Sequence, residues 1–271
     1  MLNAHSLVRE LADARANAAP VPIPPSSRDS GFDVSTAYAV ECEHARMRLQ
    51  SGHKPVGRKV GYANKAMWRI LKLDTLVWAH MYDDTVHYAE GNSADLSLAG
   101  FFSPKIEPEI VFKLKHPLAE NCDAMAALDA VQWLAVGFEL IDCPYPEWKF
   151  HPADFVASYG LHRGLIVGEP QRIDPSRIPE LLNQLPSFKL KLLKNGELIE
   201  EGTGKNSLRS PALCLAELAS AIHRRSDATP LAAGELISTG TLTTAQPLAA
   251  NETWEATLDG IALPSLTLRV K

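Results

Sequence analysis

Apolar and polar positions alternate along this chain in two distinct ways, helical at the start and strand-like after residue 55. Leu7, Val8 and Leu11 are spaced to share one face, which predicts an amphipathic helix over residues 3–17. Pro20, Pro22, Pro24 and Pro25 then impose an extended connector. Asp33 is placed to cap a second helix running to about Gln50, with Gly52 where a terminator belongs. From Pro55 onward strands are predicted at 56–62, 105–114 and 131–142, the last a long apolar run. Asn195-Gly196 joins strands at 188–193 and 197–201 as a hairpin. A helix at 211–223 precedes closing strands at 235–239, 253–258 and 265–270, with Asp259-Gly260 as a turn. Strands outnumber helices and do not alternate with them, so the pattern predicts a mixed α+β domain dominated by a strongly coiled sheet. Residues 1–54 form a helical layer on a domain spanning 55–271.

Composition narrows the functional classes. Hydrophobic residues at 46% and charged residues at 22% are ordinary for a globular protein. A net charge of -5 gives no support to a nucleic-acid binder, which would carry a basic stripe. No run of 18 apolar residues is present, so no membrane span is expected. Arg9, Glu10, Asp13 and Arg15 interrupt the first 19 residues, which argues against a secretory signal. Cys42, Cys122, Cys143 and Cys214 form no Cys-x-x-Cys pair, which argues against zinc and disulfides and leads us to expect a reducing cytoplasm.

Candidate chemistry begins at Glu107 and Glu109. In a strand, side chains two apart share a face, so these carboxylates project together. At roughly 6 Å and an effective dielectric of 20, they repel by about 3 kcal/mol. A divalent cation removes that repulsion, and all-oxygen ligands favour Mg²⁺, Mn²⁺ or Ca²⁺ over zinc. The alternative is a solvated strand face carrying two glutamates for solubility. Glu139 and Asp142 close the apolar strand at 131–142, where acids are either paired, metal-bound or emerging into solvent. Lys59 lies inside Gly57-Arg58-Lys59-Val60-Gly61. It is either a solvent-facing lysine or, beside a cation, a proton-transfer group of lowered pKa.

Taken in order, these segments resemble the hydratase and decarboxylase branch of the fumarylacetoacetate-hydrolase superfamily. Gly57-Arg58-Lys59-Val60-Gly61 is similar to its Gly-x-Lys-(Ile/Val)-Gly element, and Pro104–Ile110 to its Glu-x-Glu strand. Phe138–Asp142, Asp154–Ser158, Asn195-Gly196 with Gly202–Gly204, and Thr239–Thr243 are similar to further family blocks, so the likeness spans residues 33 to 260. The resemblance implies a fumarylacetoacetate-hydrolase-like β-roll. It also implies Mg²⁺ or Mn²⁺ on Glu107, Glu109 and Glu139, with Asp142 the rival third ligand. Lys59 would move the proton, and Ser158 and Thr241 would orient the substrate carboxylate. The implied reaction is hydration or decarboxylation of a small 2-oxo acid through a metal-stabilised enolate, as in aromatic catabolism, by a homo-oligomer. One departure bears on the reaction: Val77 stands where hydratases carry an acid, with His80, Asp83 and Asp84 as possible substitutes. Two other readings stay open: a carbon–carbon hydrolase of acylpyruvate type, with Glu43 or His44 as base, and a non-catalytic partner subunit.

Overall fold

Fourteen strands and eight α-helices organise residues 2–271, which a computed structural model describes. The helices are α1 (Ala4–Ala16), α2 (Pro25–Arg28), α3 (Val34–Gln50) and α4 (Lys65–Leu71), then α5 (Ala124–Asp129), α6 (Pro152–Ala157), α7 (Ile178–Ser187) and α8 (Pro211–His223). The strands begin with β1 (Pro55–Gly61), β2 (Val77–Tyr82), β3 (Val86–Tyr88), β4 (Ser93–Leu96), β5 (Pro104–Leu114), β6 (Val131–Asp142) and β7 (His162–Val167). They continue with β8 (Gln171–Arg172), β9 (Lys189–Lys194), β10 (Glu197–Thr203), β11 (Leu236–Ser238), β12 (Gln246–Pro247), β13 (Thr253–Asp259) and β14 (Leu266–Val270).

Local chemistry sets the longer elements. Helix α3 starts where the Asp33 carboxylate accepts the Thr36 backbone N–H at 2.8 Å, as its sequence predicts. Helix α1 buries Leu7, Val8 and Leu11. Five short helices lie outside the predicted ones: α2, α4, α5, α6 and α7. Each is only one to three turns long, and such segments take their stability from packing rather than from periodicity. Helix α6 shows how: Pro152 opens it, the Asp154 carboxylate accepts from the His151 backbone, and Ser26 donates to the same carboxylate from α2. The proline-rich connector likewise closes into α2 at its end.

The main sheet runs β2-β1-β11-β5-β6-β7-β3, with β12 on β5 and β8 on β6. A second sheet runs β10-β9-β13-β14-β4. The main sheet cannot be flat. From β2 to β7 is five strand spacings, roughly 24 Å in a planar sheet. Yet Met81 on β2 shares one buried cluster with Leu165 and Val167 on β7, together with Val111, Ala135 and Leu236. The sheet therefore curls around that face, giving the strongly coiled α+β architecture expected. Its outer face, carrying Ile106, Ile110, Phe112 and Phe138, joins the main core with α8 and the N-terminal helices.

Register decides what else lies inside the curl. Lys59 pairs with Ser238, and Ser238 with Val111. Glu109 pairs with Gly137, Glu107 with Glu139, and Glu139 with Leu165. Paired residues share a face, as do residues two apart. Lys59, Glu107, Glu109, Glu139 and Ser238 therefore all occupy the inner face, above the apolar plug. The curl is what brings β1, β5 and β6 side chains to one point.

Candidate active site

One oxygen from each of Glu107, Glu109 and Glu139 lies within 4.8 Å of the others. Glu109 and Glu139 are fully buried, and Glu107 borders a cavity of about 460 Å³. Lys59 enters the same space. Its ammonium is 3.1 Å from Glu139 Oε2, donates to the Gly160 carbonyl at 3.0 Å, and stands 4.7 Å over the Phe155 ring. Gly160 has a positive φ of 59°, and a Cβ there would come within 2.8 Å of the Lys59 chain. That close approach is how the carbonyl reaches the lysine.

The remaining bonds fix each carboxylate from one side. Glu109 Oε2 accepts from Ser238 Oγ and from the Gly240 backbone N–H at 2.8 Å. Glu139 Oε1 pairs with His162 Nδ1 at 2.8 Å, and His162 Nε2 meets Thr85 Oγ1 at 3.0 Å. Glu109 Oε1 and Glu139 Oε2 are buried and accept no hydrogen bond. Such orphaned oxygens are costly unless something else engages them.

Electrostatics point the same way. Burial pushes the Glu107 carboxyl up to about 7, with Lys59 opposing and Glu139 adding to the shift. Burial, then Glu139 and Glu107, hold Glu109 well above the usual carboxylate range. For Glu139 burial acts upward, but Lys59 and His162 outweigh it and hold this carboxyl low. Burial would lower the Lys59 ammonium, yet Glu139, Glu107 and Glu109 together raise it. The lowering expected beside a cation is thus opposed by the carboxylates themselves. Three acids crowd one lysine in a dry space, and Glu107 and Glu109 relieve their repulsion by holding protons more tightly than usual. All-oxygen donors, with Glu109 Oε1 unpartnered, suit a hard divalent cation.

Not every residue singled out from the sequence converges here. Asp142 follows Glu139 by three residues and serves another purpose: its carboxylate accepts the Phe102 and Ser103 backbone N–H groups, at 3.0 and 2.6 Å. Ser158 is buried against the Tyr145 hydroxyl at 2.6 Å and does not border the cavity. Thr241 does border it, though its hydroxyl donates to the Thr243 carbonyl in its own turn. Val77 is buried opposite Gly61. His80 pairs with Arg58 rather than Lys59, so it faces the other side of the sheet, where Glu41 holds it. Asp83 and Asp84 are exposed beside His53. Glu43 pairs with Arg46 and His5, and His44 bonds the Ala157 carbonyl. Neither borders the cavity. His162, Ser238 and Gly160 escaped the sequence reading, and Gly240 lay in the Thr239–Thr243 block without a role. Ser238 sat in a predicted strand, but only cross-strand register reveals its partner, and His162 left no local signal at all.

A sheet curled in this way is a fold that known proteins share. The family model for the C-terminal domain of fumarylacetoacetate (FAA) hydrolase matches residues 76–271. The chain belongs to that family. It is 28% identical over 234 residues to a 2-hydroxyhexa-2,4-dienoate hydratase of Comamonas testosteroni, covering 86% of this chain and 85% of that one. It is 29% identical over 225 residues to a 4-oxalocrotonate decarboxylase of Pseudomonas sp, covering 83% of each. The fold is similar to that of the Pseudomonas putida G7 4-oxalocrotonate decarboxylase complexed with magnesium and adipate, with a TM-score of 0.88, 24% identity, and coverage of 100% of this chain and 99% of that one. Lys59 lies before the matched segment, so its place in the site rests on the geometry of β1.

Proposed function

We propose that this chain is a divalent-metal-dependent lyase acting on a small 2-oxo acid, by hydration or decarboxylation. The observation that carries this reading is the convergence of Lys59, Glu107, Glu109 and Glu139 at the base of one cavity. Glu107, Glu109 and Glu139 would hold the ion, Mg²⁺ or Mn²⁺, and the convergence of the three carboxylates together with the unpartnered Glu109 Oε1 supports that assignment. When bound, such an ion supplies Lewis-acid polarisation to adjacent carboxylate and keto oxygens. The names of the relatives support 2-oxo acid or dienoate substrates of this kind.

The chain's own residues do the rest. Lys59 is fixed by the Gly160 carbonyl and the Phe155 ring, so its proton is delivered at one place. Phe155, Phe150 and Trp148 line the cavity and keep its wall apolar, which limits water near the lysine. Thr241 and Thr243 also border the cavity, and a substrate carboxylate would draw their hydroxyls from the Thr243 and Thr244 carbonyls to which they now donate. No acid takes up the position of Val77, which favours decarboxylation or tautomerisation over hydration. Nothing favours the hydrolase reading, because Glu43 and His44 are committed elsewhere.

We further infer a catalytic unit over 55–271 beneath a helical layer at 1–54, supported by every residue bordering the cavity falling between 59 and 245. Exposed Met67 and Ile70, three apart on α4, support a homo-oligomer. Four free cysteines support a reducing, cytoplasmic setting. No helix among the described residues is long and apolar enough to cross a membrane. The test is turnover of 2-hydroxypenta-2,4-dienoate and 4-oxalocrotonate by purified protein, with Mg²⁺ and after chelation. Activity on neither substrate, with metal present, would overturn the reading.

A further inference from the structure

A second, larger cavity lies away from the carboxylates, between α1, α3 and the far end of the curled sheet. It measures about 960 Å³, at the upper end of the size of small-molecule sites. Arginines outnumber acids on its wall by one, although the chain's net charge is -5. Arg15, Arg48, Arg163 and Arg269 border it, against Asp84, Glu90 and Asp95. Two of these pairs cancel, because Arg48 holds Asp84 and Arg269 holds Asp95. Glu90 is exposed to solvent at the rim.

Arg15 and Arg163 remain without an acid. Among the described residues neither makes an ion pair. Arg15 donates to the His162 carbonyl and lies 5.0 Å over the Tyr159 ring. Arg163 donates to the Gly100 carbonyl at 2.9 Å and lies 5.3 Å over the Phe101 ring. Burial and the repulsion of Arg163 lower the Arg15 guanidinium to about 10. A half-buried guanidinium with only neutral partners is expensive unless an anion completes it. The two guanidiniums stand close enough to repel one another on this wall, and Arg48 stacks 4.7 Å over the Tyr82 ring beside them.

We propose that this cavity binds a small oxyanion, a carboxylate or a phosphate, through Arg15 and Arg163. The guanidinium fork matches both groups. The occupant is a free small anion. An acidic segment of a second copy is the competing occupant that the test separates.

The test is calorimetric titration of the metal-free protein with inorganic phosphate and, separately, with succinate. Wild type should bind at least one of them, and the two titrations distinguish phosphate from carboxylate recognition. Arg15→Gln and Arg163→Gln should each weaken that binding at least tenfold, whereas Lys105→Gln, which alters the catalytic cavity, should leave it unchanged. Arg163→Lys keeps the interpretation clear of misfolding. It retains the charge but not the fork, so the variant should keep its urea midpoint while losing severalfold in affinity. Binding of neither anion by wild type overturns the proposal, as does wild-type affinity in the Arg15→Gln and Arg163→Gln variants. Loss of a dimer in Arg15→Gln by light scattering, with no anion bound by wild type, assigns the cavity to a second copy and overturns it too.

Discussion

The ammonium of Lys59 lies 3.1 Å from Oε2 of Glu139, with both side chains closed off from solvent. The angles of this ion pair leave that oxygen without a hydrogen bond. Lysine and carboxylate therefore neutralise one another without saturating the oxygen, so the same atom can serve a cation. Removing either partner strands the other charge in a dry interior, which typically costs about 3–5 kcal/mol. Variants at the two positions should be strongly non-additive.

The first prediction concerns the ion. Ser238 and Gly240 already hold one oxygen of Glu109, leaving Oε1 turned to duty elsewhere. Purified protein should bind about one Mn²⁺ per chain by calorimetry. Glu109→Gln should weaken that binding roughly tenfold or more, equivalent to about 1.4 kcal/mol. Equal affinities in the two proteins would remove Glu109 from the ligand set.

The second prediction separates Glu139 from Asp142. Glu139→Gln should impair Mn²⁺ binding far more than Asp142→Asn does. The Asp142 carboxylate holds the Phe102 and Ser103 amides instead, so Asp142→Asn should cost about 1–2 kcal/mol of folding stability with metal affinity intact. The reverse order in a Mn²⁺ titration would return Asp142 to the centre.

How far the sequence reached can be read from these same residues. The β6 and α8 boundaries follow from the chain alone, because a long apolar run and a proline-initiated helix carry strong local signals. So does the shared face of Glu107 and Glu109, since a strand's period is two. The partnership of Glu139 with His162 does not. It depends on the β6–β7 register and on curling, and both are decided by contacts distant in sequence. Ser158 shows the opposite failure: its segment resembles a substrate-facing block, yet α6 turns its hydroxyl toward Tyr145.

A third prediction follows from His44. Its ring is buried, stacks 3.8 Å from Tyr159 and bonds the Ala157 carbonyl at 3.0 Å. Burial outweighs the pull of Glu41 and lowers this imidazole from 6.5 to about 4. Between those values the unfolded chain binds a proton that the folded chain does not. Stability is therefore full above pH 6.5 and falls as pH drops through the window, by on the order of 3 kcal/mol. Urea unfolding at pH 7 and pH 4.5 should show a smaller acid loss in His44→Phe than in wild type. Identical losses would mean that other groups carry the acid sensitivity.

The last prediction addresses the reaction. Loss of CO₂ from the remote carboxylate of an unsaturated 2-oxo diacid breaks a carbon–carbon bond and leaves its electron pair delocalised along the chain toward the keto oxygen, and a proton must then be returned to carbon. Lys59 is the lysine that forms an ion pair with the carboxylate cluster, and Gly160, Phe155 and Glu139 fix its position. Alone, the three acids hold its ammonium protonated; a cation bound among them would cancel their field and let its pKa fall toward the working range. Proton-transfer groups typically contribute about 10²–10⁴-fold in rate. Lys59→Met should lose turnover by that order while still binding Mn²⁺ in a titration, because the methionine leaves all three carboxylates in place. Hydration makes a further demand, since water must be deprotonated near the reacting carbon. Val77 is buried and apolar, and His80 lies across the sheet held by Glu41. Wild type should therefore turn over 4-oxalocrotonate faster than 2-hydroxypenta-2,4-dienoate. Comparing both substrates with wild type and Lys59→Met decides both points: rapid dienoate hydration would sink the Val77 argument, and an unimpaired Lys59→Met would take the lysine out of the chemistry.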